Sequence, residues 1–133
     1  MNGAETTVGS NRSLRSASGK TAATSDDDIV ATAIDHGALV GFQLGDPAEA
    51  MKILLTAAYR VNDPQKVAAL RSEAGIMGTL LGRFEDVLAT RPTPRELEAA
   101  EPEIRWQLGV NQVYASAMLG LVADIDQLVD QTR

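Results

Sequence analysis

The side chains suited to acid–base, metal or phosphate chemistry are few and poorly spaced for it. His36 is the single histidine and stands beside Asp35. A catalytic imidazole needs a nucleophile or an orienting base around it, and no glycine-rich loop or paired ligand accompanies this one. It reads as a structural histidine. Asp26-Asp27-Asp28 offers adjacent carboxylates, but a calcium loop alternates its ligands and turns on a central glycine, and both features are lacking. Gly19-Lys20-Thr21 ends like a phosphate-binding loop. Leu14, however, occupies the place of the required upstream glycine, and no strand precedes it. The absence of cysteine removes disulfides, thiol nucleophiles and cysteine-ligated zinc together. The expectation is a protein with no catalytic, cofactor or metal site.

The totals narrow the partners. The chain has 133 residues, 44% of them hydrophobic, enough for one domain with a real core. Its formal net charge is −6. Residues 1–25 hold Arg12, Arg15 and Lys20 against Glu5, about +2, which leaves about −8 for the rest. An acidic body is poorly matched to nucleic-acid phosphates, so no nucleic acid is expected. The first 28 residues contain no apolar stretch of the kind a secretory signal needs. Trp106 to Ala123 carries no formal charge, but Gln107, Asn111, Gln112, Tyr114 and Ser116 make it a poor membrane span. No membrane span and a cytoplasmic location are expected.

Residues 1–25 are rich in Ser, Thr, Gly, Ala and Asn, with Val8 and Leu14 as the large apolar side chains, and are expected to form a disordered polar tail. Residues 26–133 are expected to form an all-helical domain. Ser25 before three acids starts a first helix that Leu44-Gly45 closes, with Val30, Ile34, Gly37, Val40 or Gly41, and Leu44 on its buried face. Asp46-Pro47 starts a second, to about Val61, and Asp63-Pro64 a third. In the third, Val67, Leu70, Ala74, Met77 and Leu81 follow the spacing of one helix face. Thr93-Pro94-Arg95-Glu96 begins a short helix that ends before Pro102. From Glu103 to Gln131 the pattern is helical again, with Ile104, Leu108, Asn111, Ala115, Met118, Val122, Ile125 and Val129 along one face.

Gly75, Gly78 and Gly82 crowd the end of the third helix, where each costs about 0.5–1 kcal/mol relative to alanine. Displacing the chain against itself by 37 residues explains two of them. Gly41 falls on Gly78, Leu44-Gly45 on Leu81-Gly82, and Glu49-Ala50-Met51 on Asp86-Val87-Leu88. At an offset of 38 a weaker third copy follows, with Leu119-Gly120, Asp124-Ile125 and Ser116. The repeat predicts helix breaks at Gly82 and Gly120. The competing assignments are one helix to Ala89 and one uninterrupted last helix. Paired amphipathic helices bury their faces by stacking on neighbours. Gly41, Gly78 and Ser116 would then be close-approach positions, and Ala50, Val87 and Ile125 would face them.

The spacing and residue types of GALVGFQLGDPAEAM and GTLLGRFEDVLA, followed by Pro64 and Pro92, resemble tetratricopeptide repeats. The implied fold is all-α: stacked antiparallel helical hairpins, TPR-like, in about three degenerate repeats. Within that class, Gly82-Arg83-Phe84, Val87-Leu88-Ala89, Leu97-Glu98, Glu101-Pro102 and Trp106-Gln107-Leu108-Gly109 are similar to the needle-subunit chaperones of type III secretion systems. That resemblance implies a small, cytoplasmic, non-enzymatic protein. Its concave face would sequester the amphipathic helix of a secreted or assembling subunit, with a small co-chaperone as second partner.

The repeat places Leu39, Ile76 and Tyr114 in one stripe, with Gln43, Leu80 and Met118 one turn later, five of the six being large and hydrophobic. These five are the candidate partner-binding residues. The alternative is a self-associating structural or regulatory subunit that carries no client.

Overall fold

A computed structural model describes residues 25–131. Apart from Ser25, the expected polar tail lies outside the described residues. Among the described residues the protein is all-helical. The order is α1 (Asp26–Ala38), continued by a π-helical turn (Leu39–Gln43), α2 (Pro47–Arg60), α3 (Pro64–Leu81), α4 (Phe84–Ala89), α5 (Pro94–Ala99) and α6 (Pro102–Gln131).

The starts are written locally. The Asp28 N–H donates to Ser25 Oγ at 3.2 Å, the Glu49 N–H to Asp46 Oδ1 at 3.1 Å and the Gln65 N–H to Asp63 Oδ1 at 2.9 Å. Each bond satisfies an amide that the helix geometry leaves without a partner. At α5 the exchange is reciprocal: the Glu96 N–H donates to Thr93 Oγ1, and the Thr93 N–H to Glu96 Oε1. The break at Gly82 is present. Gly82 has φ +70°, the Arg83 N–H donates to the Gly78 carbonyl at 2.9 Å, and the Gly82 N–H donates to that of Thr79 at 3.0 Å. This Schellman arrangement requires a left-handed residue, which glycine supplies without side-chain strain.

α3 is the central helix and packs against α1, α2, α4, α5 and α6. Leu54, Leu70 and Met77 are fully buried at the centre of the main core. Two of the close approaches expected from the repeat are observed. A Cβ at Gly41 would lie 3.1 Å from the Ala50 Cβ, and one at Gly78 would lie 2.7 Å from Val87 Cγ2. A smaller cluster of Ala68, Ala100, Leu108 and Ile104 docks the α5–α6 junction onto α3.

Three expectations are corrected. The buried face of α1 is Ile29, Ala33 and Gly37, with Val30 and Ile34 half-buried and Leu44 68% exposed. The π-helical turn, closed by the Leu44 N–H on the Leu39 carbonyl at 3.0 Å, instead buries the sequence neighbours Val40 and Gly41 together. The third break is missing, because α6 runs unbroken through Gly120. Gly45 and Gly82 adopt positive φ among the described residues, whereas Gly120 does not. After Gly45 and Gly82 the next helix folds back onto the one before, Ala50 against Gly41 and Val87 against Gly78, whereas the residues after Gly120 continue the helix with exposed Leu121 and Val122. Ser116 and Ile125 therefore lie on one helix, both exposed, and do not face each other.

Candidate functional site

Ile76, Thr79 and Leu80 on α3 line one side of a groove, and Gln107, Val110, Asn111 and Tyr114 on α6 line the other, around a volume of about 240 Å³. Leu80 is 57% exposed and Tyr114 47% exposed. The Tyr114 ring is fixed edge-on against Phe84 of α4, centroids 5.9 Å apart.

Thr79, Gln107 Nε2 and both atoms of the Asn111 amide are engaged within the protein. Asn111 Nδ2 donates to the Ser72 carbonyl at 3.1 Å, Gln107 Nε2 donates to Asn111 Oδ1 at 2.8 Å, and Thr79 Oγ1 donates to the Gly75 carbonyl at 2.9 Å. The groove therefore presents apolar side chains around a hydrogen-bonded Asn111 at its floor. Glu73 lies one turn before Ile76 on α3, and burial raises its carboxyl above the usual glutamate range.

Of the five residues expected to bind a partner, Ile76, Leu80 and Tyr114 are brought together here. Leu39 sits in the π-helical turn, 43% exposed, and Met118 is half-buried one turn beyond Tyr114. Neither lines this groove. For Leu39 the cause is that α3 stands between α1 and α6, so an equivalent repeat position opens on a different part of the surface. Val110 and Gln107 were not among the expected site residues. Val110 precedes Tyr114 by one helical turn, and that spacing is the signal that points to it.

No protein family, curated protein or solved structure matches this chain.

Two further features bear on that surface. α6 is long and apolar enough to cross a membrane by length and composition, although Leu108, Asn111 and Ala115 are buried against the body. Between α2 and α4 lies a cleft of about 450 Å³ whose lining includes Lys52, Tyr59, Arg71, Arg83 and Asp86. Arg71 is committed elsewhere, with its Nε 2.9 Å from Glu96 Oε1. His36 is exposed on α1 and lines a separate shallow cleft against α2 with Asp28, Lys52 and Arg60.

Proposed function

We propose that this protein is a non-enzymatic binding protein whose α3–α6 groove takes an amphipathic helical segment of a protein partner. The observation that carries the reading is the pair Leu80 and Tyr114: large, exposed and mostly apolar, on two helices, facing one groove in which Thr79 and the Asn111 amide are bonded within the protein. Apolar anchors at helical spacing are what a helix-in-groove interaction uses. The paired α1–α2 and α3–α4 helices, with their matching Gly41–Ala50 and Gly78–Val87 approaches, support a hairpin scaffold of the tetratricopeptide kind. A chaperone role, holding a secreted or assembling subunit in the cytoplasm beside a small co-chaperone, follows from the residue resemblance to needle-subunit chaperones.

The test is co-purification of the full chain with its partner, followed by mass measurement of the complex and mapping of the protected partner segment. The expected result is a stoichiometric complex protecting one amphipathic helical segment, lost in Leu80→Glu and Tyr114→Glu. A complex that persists in both folded variants would sink the groove assignment.

A further inference from the structure

We propose that two copies of this chain associate by laying their α6 helices antiparallel, exposed faces together, about a two-fold axis at the level of Ala115. Trp106, Val110 and Val113 are 69%, 39% and 71% exposed and recur at four- and three-residue spacing along α6, with Leu121, 51% exposed, about two turns further on. A cleft lined by Arg105, Trp106, Gly109, Val113 and Ala117 runs along this face. Gly109, Val113 and Gly120 lie on the side of the helix away from buried Leu108, Asn111 and Ala115. Val110 and Tyr114 also line this cleft, so the paired face borders the client groove and shares Val110 with it.

The glycines point to a second helix. At Gly41, Gly75 and Gly78 a Cβ would meet a side chain from another helix at 3.1 Å or less, so these glycines admit a close neighbour. At Gly109 and Gly120 a Cβ would meet nothing within 4 Å. These two stand about three turns apart on the exposed face and meet no side chain among the described residues.

The face is complementary to itself in one orientation. An antiparallel pairing centred on Ala115 sets Gly109 opposite Leu121, Val110 opposite Gly120 and Val113 opposite Ala117, a large side chain against a small one at each level. Each contact occurs twice, as a closed isologous interface requires. The same register sets Asp124 of one copy opposite Trp106 of the other, whose indole N–H can donate to the carboxylate. A parallel pairing would instead put tryptophan on tryptophan, glycine on glycine and Asp124 on Asp124.

The full chain should sediment as a dimer whose dissociation follows concentration. Gly109→Leu combined with Gly120→Leu fills open space in the single chain and should keep or raise its helical signal and thermal midpoint, since leucine is the better helix former. It should nevertheless weaken the dimer by at least about tenfold, because each new side chain meets Leu121 or Val110 of the other copy. Because the chain has no cysteine, register is readable by crosslinking. Val113→Cys mixed with Ala117→Cys should form a disulfide-linked dimer under mild oxidation, and neither variant alone should. A monomeric wild type, a dimer untouched by the double leucine variant, or crosslinking of Val113→Cys with itself overturns the proposal. So does a monomer that pairs α6 only with a client helix, or that uses it to float with phosphatidylcholine–phosphatidylglycerol vesicles.

Discussion

The side-chain amide of Asn111, on α6, occupies the space that a side chain at residue 75 of α3 would need. A Cβ built at Gly75 lies 3.1 Å from Asn111 Cγ and closer still to Nδ2, which donates to the Ser72 carbonyl. Asn111 is 3% exposed and also accepts from Gln107 Nε2, so it has little room to withdraw. Gly75, the glycine that the internal repeat leaves unexplained, is the seat of the contact between α3 and α6.

Gly75→Ala should therefore destabilise the protein by roughly 1–3 kcal/mol, although alanine is the better helix former. Urea unfolding measures it. Combined with Asn111→Ala, the loss should be smaller than the sum of the two single losses, since the second change removes the obstacle created by the first. A Gly75→Ala protein as stable as wild type would contradict this account.

Gly78 and Gly82 should fail for different reasons. Gly78→Ala drives a Cβ against buried Val87 and should cost about 1–3 kcal/mol. Gly82→Ala meets no atom within 4 Å, but it must hold φ +70° and should cost about 1 kcal/mol. Gly82→Asn should recover part of that loss, because asparagine tolerates the left-handed region. Equal effects of alanine and asparagine at residue 82 would point away from backbone strain.

Glu73 gives a pH dependence of definite sign. Burial raises its folded-state carboxyl above its unfolded value, so the folded chain holds the proton longer. Its contribution is most favourable below the unfolded value and declines as pH rises through the folded one. Glu73→Gln should raise the thermal midpoint at neutral pH and leave it unchanged in acid below the glutamate range. Asp63 runs the other way. Its carboxyl is lowered by the hydrogen bond from Lys66 and then by the Gln65 N–H, so its contribution is present above the unfolded value and fades as pH falls. Thermal melts of the Glu73→Gln variant across pH separate the two.

Leu70 and Leu80 separate core from groove on one helix. Leu70 is 0% exposed and Leu70→Ala should cost about 2–5 kcal/mol. Leu80 is 57% exposed, and Leu80→Ser should change stability by less than about 0.5 kcal/mol while weakening partner binding. Chemical denaturation alongside co-purification reads both, and a large stability loss at Leu80 would make it a core residue instead.

Asp26 ties the start of α1 to the turn before α3, accepting from the Asn62 N–H at 3.1 Å and the Asp63 N–H at 3.2 Å. Asp26→Ala should cost roughly 1–2 kcal/mol, and Asp26→Asn less, because the amide oxygen can still accept. Amide exchange at Asn62 and Asp63 should speed up in the alanine variant. Unchanged exchange there would show that the two amides are protected by something else.

Helix starts and the stops at Gly45 and Gly82 were legible in the sequence because a cap or a left-handed glycine is decided by a few adjacent residues and their own hydrogen bonds. So was the core face of α3, where Val67, Leu70, Ala74 and Met77 recur at helical spacing and are buried. Burial is decided by neighbours, and there the sequence could not choose. The apolar row of α6 continues from Leu108 and Ala115, which pack on the body, to Val122 and Ile125, which are half exposed beyond it, with no change in its period. Only the tertiary structure shows where the body ends, that Gly120 turns nothing, and that Ile76, Leu80 and Tyr114 share a groove from which α3 separates Leu39. Periodicity marks which face of a helix is apolar; whether another helix stands against that face depends on the path of the whole chain.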